Sequence, residues 1–367
     1  MDREVAVVHG NYFTHGGGEV VAEALADCFD APLYYGFGEA DAIPDTDTEH
    51  VGLFDDSLLA RFKRSPFVRD LYYMWAFQHV PALHEYDVLV QSGNEMGWYV
   101  PPDDQAVVKY VHSTPRAAYD RFPDKGDDPL VRLYGFATRT LYRQTLPYPD
   151  VYVANSELIA RRIERYWGID DVRVVYPPVD VDSYDPRPHD EREDFYFTFS
   201  RLHPDKKVDE IIAAFDGRDE RLIVGGDGEE RARLEAMAGD NVEFRGYLSE
   251  AEKRDLLGRA KAFVFAARNE DFGIVPVEAL ASGTPVIGVR DGYTQHQIDD
   301  GETGLLYERG PDHLRAALDR FEMDGVAPSA DDIAATAERY GYDKFRDGMR
   351  TAVKDALDRV RIDQRSK

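Results

Sequence analysis

Asn269-Glu270-Asp271-Phe272-Gly273-Ile274-Val275-Pro276-Val277-Glu278-Ala279-Leu280-Ala281-Ser282-Gly283-Thr284-Pro285-Val286-Ile287 is the stretch on which the reading of this chain turns. It follows an apolar run at Ala262–Phe265 and leads into another at Pro285–Gly288, so that strand, loop, helix and strand succeed one another. Gly273 stands where the helix begins, a place where backbone approaches a ligand closely and the first amides point at an anion. Glu270 falls in the loop and Glu278 about one turn into the helix. Carboxylates so spaced can bind sugar hydroxyls on both sides of a phosphate; a metal site and a purely structural helix cap are the minor alternatives.

The same alternation runs along nearly the whole chain, as βαβ units and parallel sheets require. Upstream, strands are expected near Glu4–Val8, Asp87–Val90, Val107–Val111 and Val151–Ala154, with helices near Glu19–Phe29, Pro66–Val80, Pro129–Leu146 and Glu157–Trp167. Ser156 is placed to cap the last of these. The acidic, proline-rich stretch from Tyr176-Pro177-Pro178 through Pro186-Arg187-Pro188 to Asp194 carries little apolar periodicity. A second series then starts at Phe195–Phe199 and continues at Arg221–Val224, Val242–Phe244, Ala262–Phe265 and Pro285–Gly288. The fold class is therefore α/β with two wound sheets, expected as domains at 1–178 and 179–341. A long helical tail, 342–367, is expected to pack back across the boundary.

The length of 367 residues agrees with about two domains at roughly 100–200 residues each. Acidic residues outnumber basic ones 70 to 44, for a net charge of −26, which argues against a nucleic-acid partner. Arginine greatly outnumbers lysine, and an acid-rich, lysine-poor surface suits a cytoplasm rich in salt. Cys28 is the single cysteine, so no intrachain disulfide and no cysteine-rich zinc site is expected. No signal-peptide pattern and no run of 18 apolar residues is visible, so the expected location is cytoplasmic.

Three further stretches bear on chemistry. His15-Gly16-Gly17-Gly18-Glu19 joins the first strand to the first helix; its amides can receive an anion, and a tight structural turn is the blander alternative. Ser200-Arg201-Leu202-His203-Pro204-Asp205-Lys206-Lys207 holds the equivalent place in the second half, at the crevice expected between the domains. Arg201 and Lys206 there can neutralise a diphosphate without metal, against the alternative of a solvated basic turn. Lastly, Arg61, Lys63, Arg64 and Arg69 lie among aromatic and aliphatic residues with no acid between Ser57 and Arg69. Such a segment either lies on an anionic membrane, cradles an anionic acceptor, or is a core-facing helix with solvated arginines. Asp180-Val181-Asp182 falls in the linker and is discounted as a metal-binding motif.

The stretch from Glu270 to Glu278 resembles the E-x7-E signature of retaining glycosyltransferases of family 4, whose GT-B fold pairs two Rossmann-like domains. Arg201 and Lys206, Val224-Gly225-Gly226-Asp227-Gly228, Val242-Glu243-Phe244-Arg245-Gly246-Tyr247-Leu248 and Asp300-Gly301-Glu302-Thr303-Gly304 are similar to successive family motifs in the same order. The likeness is strong over 195–307. Looser matches are Gly16, Gly17 and Glu19, which resemble the donor loop, and Val111-His112-Ser113-Thr114-Pro115-Arg116, which resembles the active-site histidine segment. The family's Gly-Gly-x-x-Glu departs here to Gly292-Tyr293-Thr294-Gln295-His296.

The resemblance implies that Glu278 holds the nucleotide ribose, that Glu270 and the backbone of Phe272, Gly273 and Ile274 hold the donor sugar, and that Arg201 and Lys206 hold the diphosphate. It implies that His112 contacts the sugar near the reacting carbon. The implied activity is metal-independent, retaining transfer of a hexose from a nucleotide sugar to a saccharide or lipid-linked acceptor, with closure of the domains assembling the site. No cofactor is expected beyond the donor substrate. The segment from His112 to Asp120 is similar to mannose-transferring relatives. Arg61, Lys63, Arg64 and Arg116 are the acceptor-side or membrane-side candidates. The competing readings are a GT-B epimerase or phosphorylase and a noncatalytic nucleotide-sugar-binding subunit; a nicotinamide dehydrogenase is disfavoured by the missing dinucleotide fingerprint.

Overall fold

The structure, a computed structural model, describes residues 4–55, 57, 60–115, 119 and 129–366. The chain divides into two units, Met1–Tyr176 with Asp343–Lys367, and Pro177–Tyr342.

The first unit contains β1 (Val5–Tyr12), α1 (Gly17–Phe29), β2 (Leu33–Gly38), β3 (His50–Gly52), α2 (Pro66–Ala76), β4 (Val88–Ser92), β5 (Ala106–Val111), α3 (Pro129–Tyr142), β6 (Val151–Ala154), α4 (Glu157–Trp167) and β7 (Val172–Val174). Its strands are all parallel, in the order β3-β2-β1-β4-β5-β6-β7. Every residue of β4, β5 and β6 is buried, which is why these strands read as continuous apolar runs rather than as alternation. Ser156 caps α4 by accepting from the Ile159 N–H, and Gly168 ends the helix in the left-handed region. The strand order reverses between β1 and β4, which opens the crevice at the carboxyl ends where wound sheets bind ligands.

The second unit contains β8 (Glu193–Phe199), α5 (Val208–Phe215), β9 (Arg221–Gly225), α6 (Arg231–Met237), β10 (Val242–Gly246), α7 (Glu250–Arg259), β11 (Ala260–Phe265), α8 (Ile274–Ala281), β12 (Val286–Val289), α9 (Thr294–Gln297), β13 (Gly304–Tyr307), α10 (Pro311–Asp324) and α11 (Ala330–Ala335). These strands are also parallel, in the order β10-β9-β8-β11-β12-β13. Its reversal lies between β8 and β11. A core of Tyr196, Ile211, Phe215, Leu222, Val224 and Leu314 packs α5 and α10 on one face.

The tail forms α12 (Tyr342–Ser366), whose residues from Asp343 onward belong to the first unit. Phe345, Met349, Ala352, Ala356 and Val360 form its buried stripe, at the spacing one helix face requires. Phe345 meets the Tyr110 ring edge-on at 6.1 Å, and the Arg359 Nη1 donates to the Asp150 carbonyl at 2.6 Å.

Four strands were not anticipated. β3 and β7 have three residues each, too short for a periodic signal. Two of the six residues of β2 are glycine, a poor strand former. β13 begins at Gly304, whose position admits no side chain because a Cβ would lie 1.9 Å from the Val286 carbonyl oxygen.

Candidate active site

The second unit gathers its candidates at the reversal between β8 and β11. Lys206 ends a short turn after β8, and its Nζ donates to Glu270 Oε2 at 2.6 Å in the loop after β11. Arg201, in the same post-β8 loop, is exposed, with no side-chain partner among the described residues. Glu270 is held from behind: its carbonyl accepts from Tyr293 N–H at 2.8 Å, and Gly292 lies so close that a Cβ there would fall 2.4 Å from the Glu270 nitrogen. The segment where the family pattern breaks therefore supports the Glu270 loop.

Phe272 turns its side chain into the core, stacking on Tyr293 at 5.7 Å and meeting Tyr340 edge-on at 5.4 Å. Only its backbone remains for a ligand. Gly273, at φ +87°, sets the start of α8, with Ile274 as its first residue. The Gly273 carbonyl accepts from Gln297 Nε2 at 3.0 Å, while Gln297 Oε1 is buried without a partner.

Glu278, on α8, is buried, and its Oε1 accepts from Lys253 Nζ on α7 at 2.8 Å. Lys253 also pairs with Glu250 at 2.8 Å. Burial pushes the Glu278 carboxyl above the ordinary carboxylate range, although Lys253 opposes this. Burial works against the Lys253 ammonium too, but the charges of Glu278 and Glu250 outweigh it and hold it above the ordinary lysine range. Oε2 of Glu278 is buried without a well-formed hydrogen bond, although the Tyr184 hydroxyl also interacts with the carboxylate. An oxygen held in this way is costly unless a ligand donor completes it.

The first unit builds a separate cavity of about 310 Å3 at its own reversal point, lined by His9, Asn11, Gly18, Glu19, Gly93, Asn94, Glu95, His112 and Ser113. Gly16 precedes α1 and Gly17 opens it; the Gly16 N–H donates to Glu19 Oε2 at 3.1 Å. Burial acts to raise the Glu19 carboxyl, but His9 and this amide prevail and hold it below the ordinary range. His112 follows β5; its carbonyl accepts from Asn155 Nδ2 at 2.8 Å and its Nε2 lies 2.8 Å from Ser92 Oγ. Burial, reinforced by His9, pushes its imidazole down to about 3.

Behind the cavity, Lys109 is 1% exposed. Its Nζ donates to the Tyr142 hydroxyl at 2.7 Å, which donates to Asn94 Oδ1 at 2.7 Å; Asn94 Nδ2 donates to the Ser113 carbonyl at 2.7 Å. Burial brings the Lys109 ammonium down to about 7.

The basic aromatic segment has an acidic partner that its local sequence does not contain. Lys63 donates to the Gly38 carbonyl and pairs with Glu39 at 3.4 Å, and Arg64 pairs with Glu39 at 3.1 Å. The acid absent from the local sequence arrives just after the end of β2. Arg61 stacks on Phe62 at 5.1 Å, and Phe62, Leu71 and Trp75 are exposed. Arg116 lies outside the described residues. Among the described residues, no three His, Cys, Asp or Glu side chains converge as a metal site, and no helix is long and apolar enough to cross a membrane.

Sequence reasoning missed Lys253, Ser92, His9, Asn94 and Gln297. Each is single and without a motif of its own, and strand pairing or helix packing alone brings it to the site.

The family described as glycosyl transferases group 1 matches residues 183–340, and glycosyltransferase family 4 matches residues 15–183. Together the two span residues 15–340, and the chain belongs to the GT-B, family 4-like group of glycosyltransferases. Human alpha-1,3/1,6-mannosyltransferase ALG2 is 28% identical to this glycosyltransferase over 272 residues, covering 63% of this chain and 65% of the human protein. The D-inositol 3-phosphate glycosyltransferase of Streptomyces bingchenggensis is 30% identical over 236 residues, 53% of this chain and 50% of that one. The matches thus span less than two thirds of either relative. The apo lipopolysaccharide outer core galactosyltransferase WaaB superposes with a TM-score of 0.72 at 18% identity, covering 96% of this chain and all of that one. Anabaena HepE, solved with UDP and glucose, superposes with a TM-score of 0.71 at 17% identity, over 96% and 99% of the two chains. At those identities the likeness concerns the fold.

Proposed function

We propose that this glycosyltransferase moves a hexose, with mannose favoured, from a nucleoside diphosphate sugar to a saccharide or lipid-linked acceptor, with retention of anomeric configuration and without a metal ion. The observation that carries the reading is the Lys206 Nζ to Glu270 Oε2 contact of 2.6 Å, set beside the start of α8 at the strand reversal. A cation, a carboxylate and helix amides stand together where a diphosphate needs charge neutralisation and a sugar needs hydroxyl acceptors. Arg201 supplies a second cation from the same loop. Glu278, with one oxygen on Lys253 and the other unsatisfied, suits a ribose hydroxyl. Mannose is favoured by the names of relatives such as human ALG2.

Cleavage of the bond from the sugar C1 to the diphosphate oxygen builds negative charge on the leaving group and positive charge on the ring. Lys206, Arg201 and the α8 amides stabilise the first, which is how fixed charges lower a barrier. In this reading the acceptor hydroxyl attacks C1 on the face the diphosphate leaves, and a departing phosphate oxygen takes its proton. The exposed Phe62, Leu71 and Trp75 beside Arg61 favour an acceptor presented at a lipid surface. Glu39 neutralises part of the charge, so the apolar side chains do most of the binding.

GDP-mannose incubated with lipid-linked and free saccharides tests the reading by product analysis and anomeric NMR. An α-mannoside formed only with acceptor supports it. Sugar isomerised without acceptor, phosphorolysis, or binding with no turnover of any nucleotide sugar would replace it with the epimerase, phosphorylase or noncatalytic reading.

A further inference from the structure

Three side chains and a carboxylate form one continuous line through the first unit. His112 Nε2 lies 2.8 Å from Ser92 Oγ, Ser92 Oγ lies 3.1 Å from His9 Nδ1, and His9 Nε2 faces Glu19 Oε1 at 3.9 Å. The last distance is an electrostatic contact rather than a hydrogen bond. Strand register builds the line: His9 on β1 is paired directly with Ser92 on β4, and His112 immediately follows β5. Ser92 is fully buried, and His9 nearly so. His112 Nδ1 has no hydrogen-bond partner among the described residues, and His112 lines the cavity.

We infer that Glu19 and His9, acting through the Ser92 hydroxyl, are positioning residues that fix the proton of His112 on Nε2 and leave Nδ1 as a bare acceptor facing the cavity. The Ser92 hydroxyl has one proton, so it can donate to only one of its two imidazoles and must accept from the other. The Glu19 carboxylate favours a proton on the facing Nε2 of a neutral His9. His9 Nδ1 is then an acceptor, Ser92 donates to it, and the Ser92 oxygen accepts from His112 Nε2–H. The remaining ring nitrogen, Nδ1, keeps its lone pair. Its ligand partner is therefore a donor such as a sugar hydroxyl, and not a phosphate or carboxylate oxygen. The depressed basicity of His112 agrees with a ring that stays neutral.

Glu19 also has a second bond that makes the inference testable by one amide. Its Oε2 accepts from the Gly16 N–H at 3.1 Å while Oε1 faces His9. In Glu19→Gln the amide oxygen must stay with Gly16 to keep the start of α1, so the NH2 turns toward His9. A donor then faces His9 Nε2, the His9 proton moves to Nδ1, Ser92 reverses, and His112 carries its proton on Nδ1.

The assignment of a sugar hydroxyl as the partner rests on the function proposed above; the proton positions do not. Protein labelled with 15N-histidine and studied by long-range proton–nitrogen correlation at pH 8.5, above the ordinary imidazole range of about 6.5, reads the tautomer directly. The His112 signals are assigned by their loss in His112→Gln. The expected result is Nε2–H in the wild type, Nδ1–H in Glu19→Gln, and a mixture in Ser92→Ala. A wild-type proton on Nδ1, or an unchanged His112 in Glu19→Gln, overturns the inference. Glu19→Gln is decisive by itself should Ser92→Ala fail to fold. With GDP-mannose as the probe, kcat/KM is expected to fall at least tenfold in Glu19→Gln. An unaltered kcat/KM overturns the functional part. Failure of the wild type to use GDP-mannose tells against the transferase reading and leaves the tautomer result standing.

Discussion

Lys253 on α7 donates to Glu278 on α8 at 2.8 Å in a site where both side chains are buried, and the second oxygen of Glu278 is left without a well-formed hydrogen bond. Under the proposed function the pair is half of a binding group. Burial raises the Glu278 carboxyl and the Lys253 charge opposes that push; in the proposed function the second oxygen meets a ligand donor.

Breaking the pair from the lysine side leaves an uncompensated buried charge. Lys253→Met is expected to cost about 3–5 kcal/mol of stability, seen as a lower denaturant midpoint. Adding Glu278→Gln to it should recover most of that loss, because the stranded charge is gone, while GDP affinity measured by calorimetry stays lost. Recovery of binding together with stability would show that Glu278 does not touch the nucleotide.

Lys206 and Arg201 differ in how they are held, and their variants should differ accordingly. Each alanine substitution is expected to remove about 2–4 kcal/mol of transition-state stabilisation, read from kcat/KM for GDP-mannose. Lys206→Ala should also free the Glu270 carboxylate that it binds at 2.6 Å, so its sugar selectivity should loosen. Arg201→Ala should leave selectivity intact. Near-normal turnover in both would remove the diphosphate assignment.

Much of the second unit was legible because its signals are local. Arg201, Lys206, Glu270 and the helix start at Gly273 each follow a strand visible as an apolar run, and Glu278 lies on the helix that Gly273 opens. The first unit was harder to read. Its line from Glu19 to His112 passes through His9 and Ser92, which are 83 residues apart and meet only because β1 and β4 pair in parallel. Nothing near Lys253 announces Glu278, 25 residues downstream, as its partner. The partner of Lys63 and Arg64 is hidden from the local sequence for the same reason, since Glu39 comes from another strand connection. Local pattern reveals elements and their ends; long-range pairing decides which side chains share a charge.

Lys109 offers a test in which stability and pH are linked with a definite sign. Its ammonium is brought by burial from the ordinary lysine range to about 7. Between about pH 7 and 10.4 the unfolded chain holds a proton that the folded one has lost, so folding stability should rise with pH across that window, by up to about 1.4 kcal/mol per unit. Below pH 7 the full penalty applies. Lys109→Met should flatten this slope and raise stability at pH 7 by about 1–3 kcal/mol, because the Tyr142 hydroxyl keeps its bond to Asn94. A slope that survives the substitution would place its origin elsewhere.

The charge balance makes the last prediction, and it sets two salt effects against each other. Many surface arginines pair with acids, as Arg231 does with Asp227 and Glu235, and salt weakens such pairs. Each exposed pair contributes only about 0–1 kcal/mol. The net charge of −26 acts over the whole surface instead, and self-repulsion of that size destabilises the compact state until it is screened. Screening shortens to about 3 Å at molar ionic strength, so repulsion between well-separated acids vanishes while the close pairs lose little that mattered. The melting temperature should therefore climb steadily as KCl is raised from about 0.1 to 2 M. Charge-neutralising Asp and Glu substitutions on exposed acids that lack a basic partner should reproduce part of that gain at low salt. A melting temperature that is flat or falls with KCl would show that the ion pairs prevail, and the idea of adaptation to a salt-rich cytoplasm would go with it.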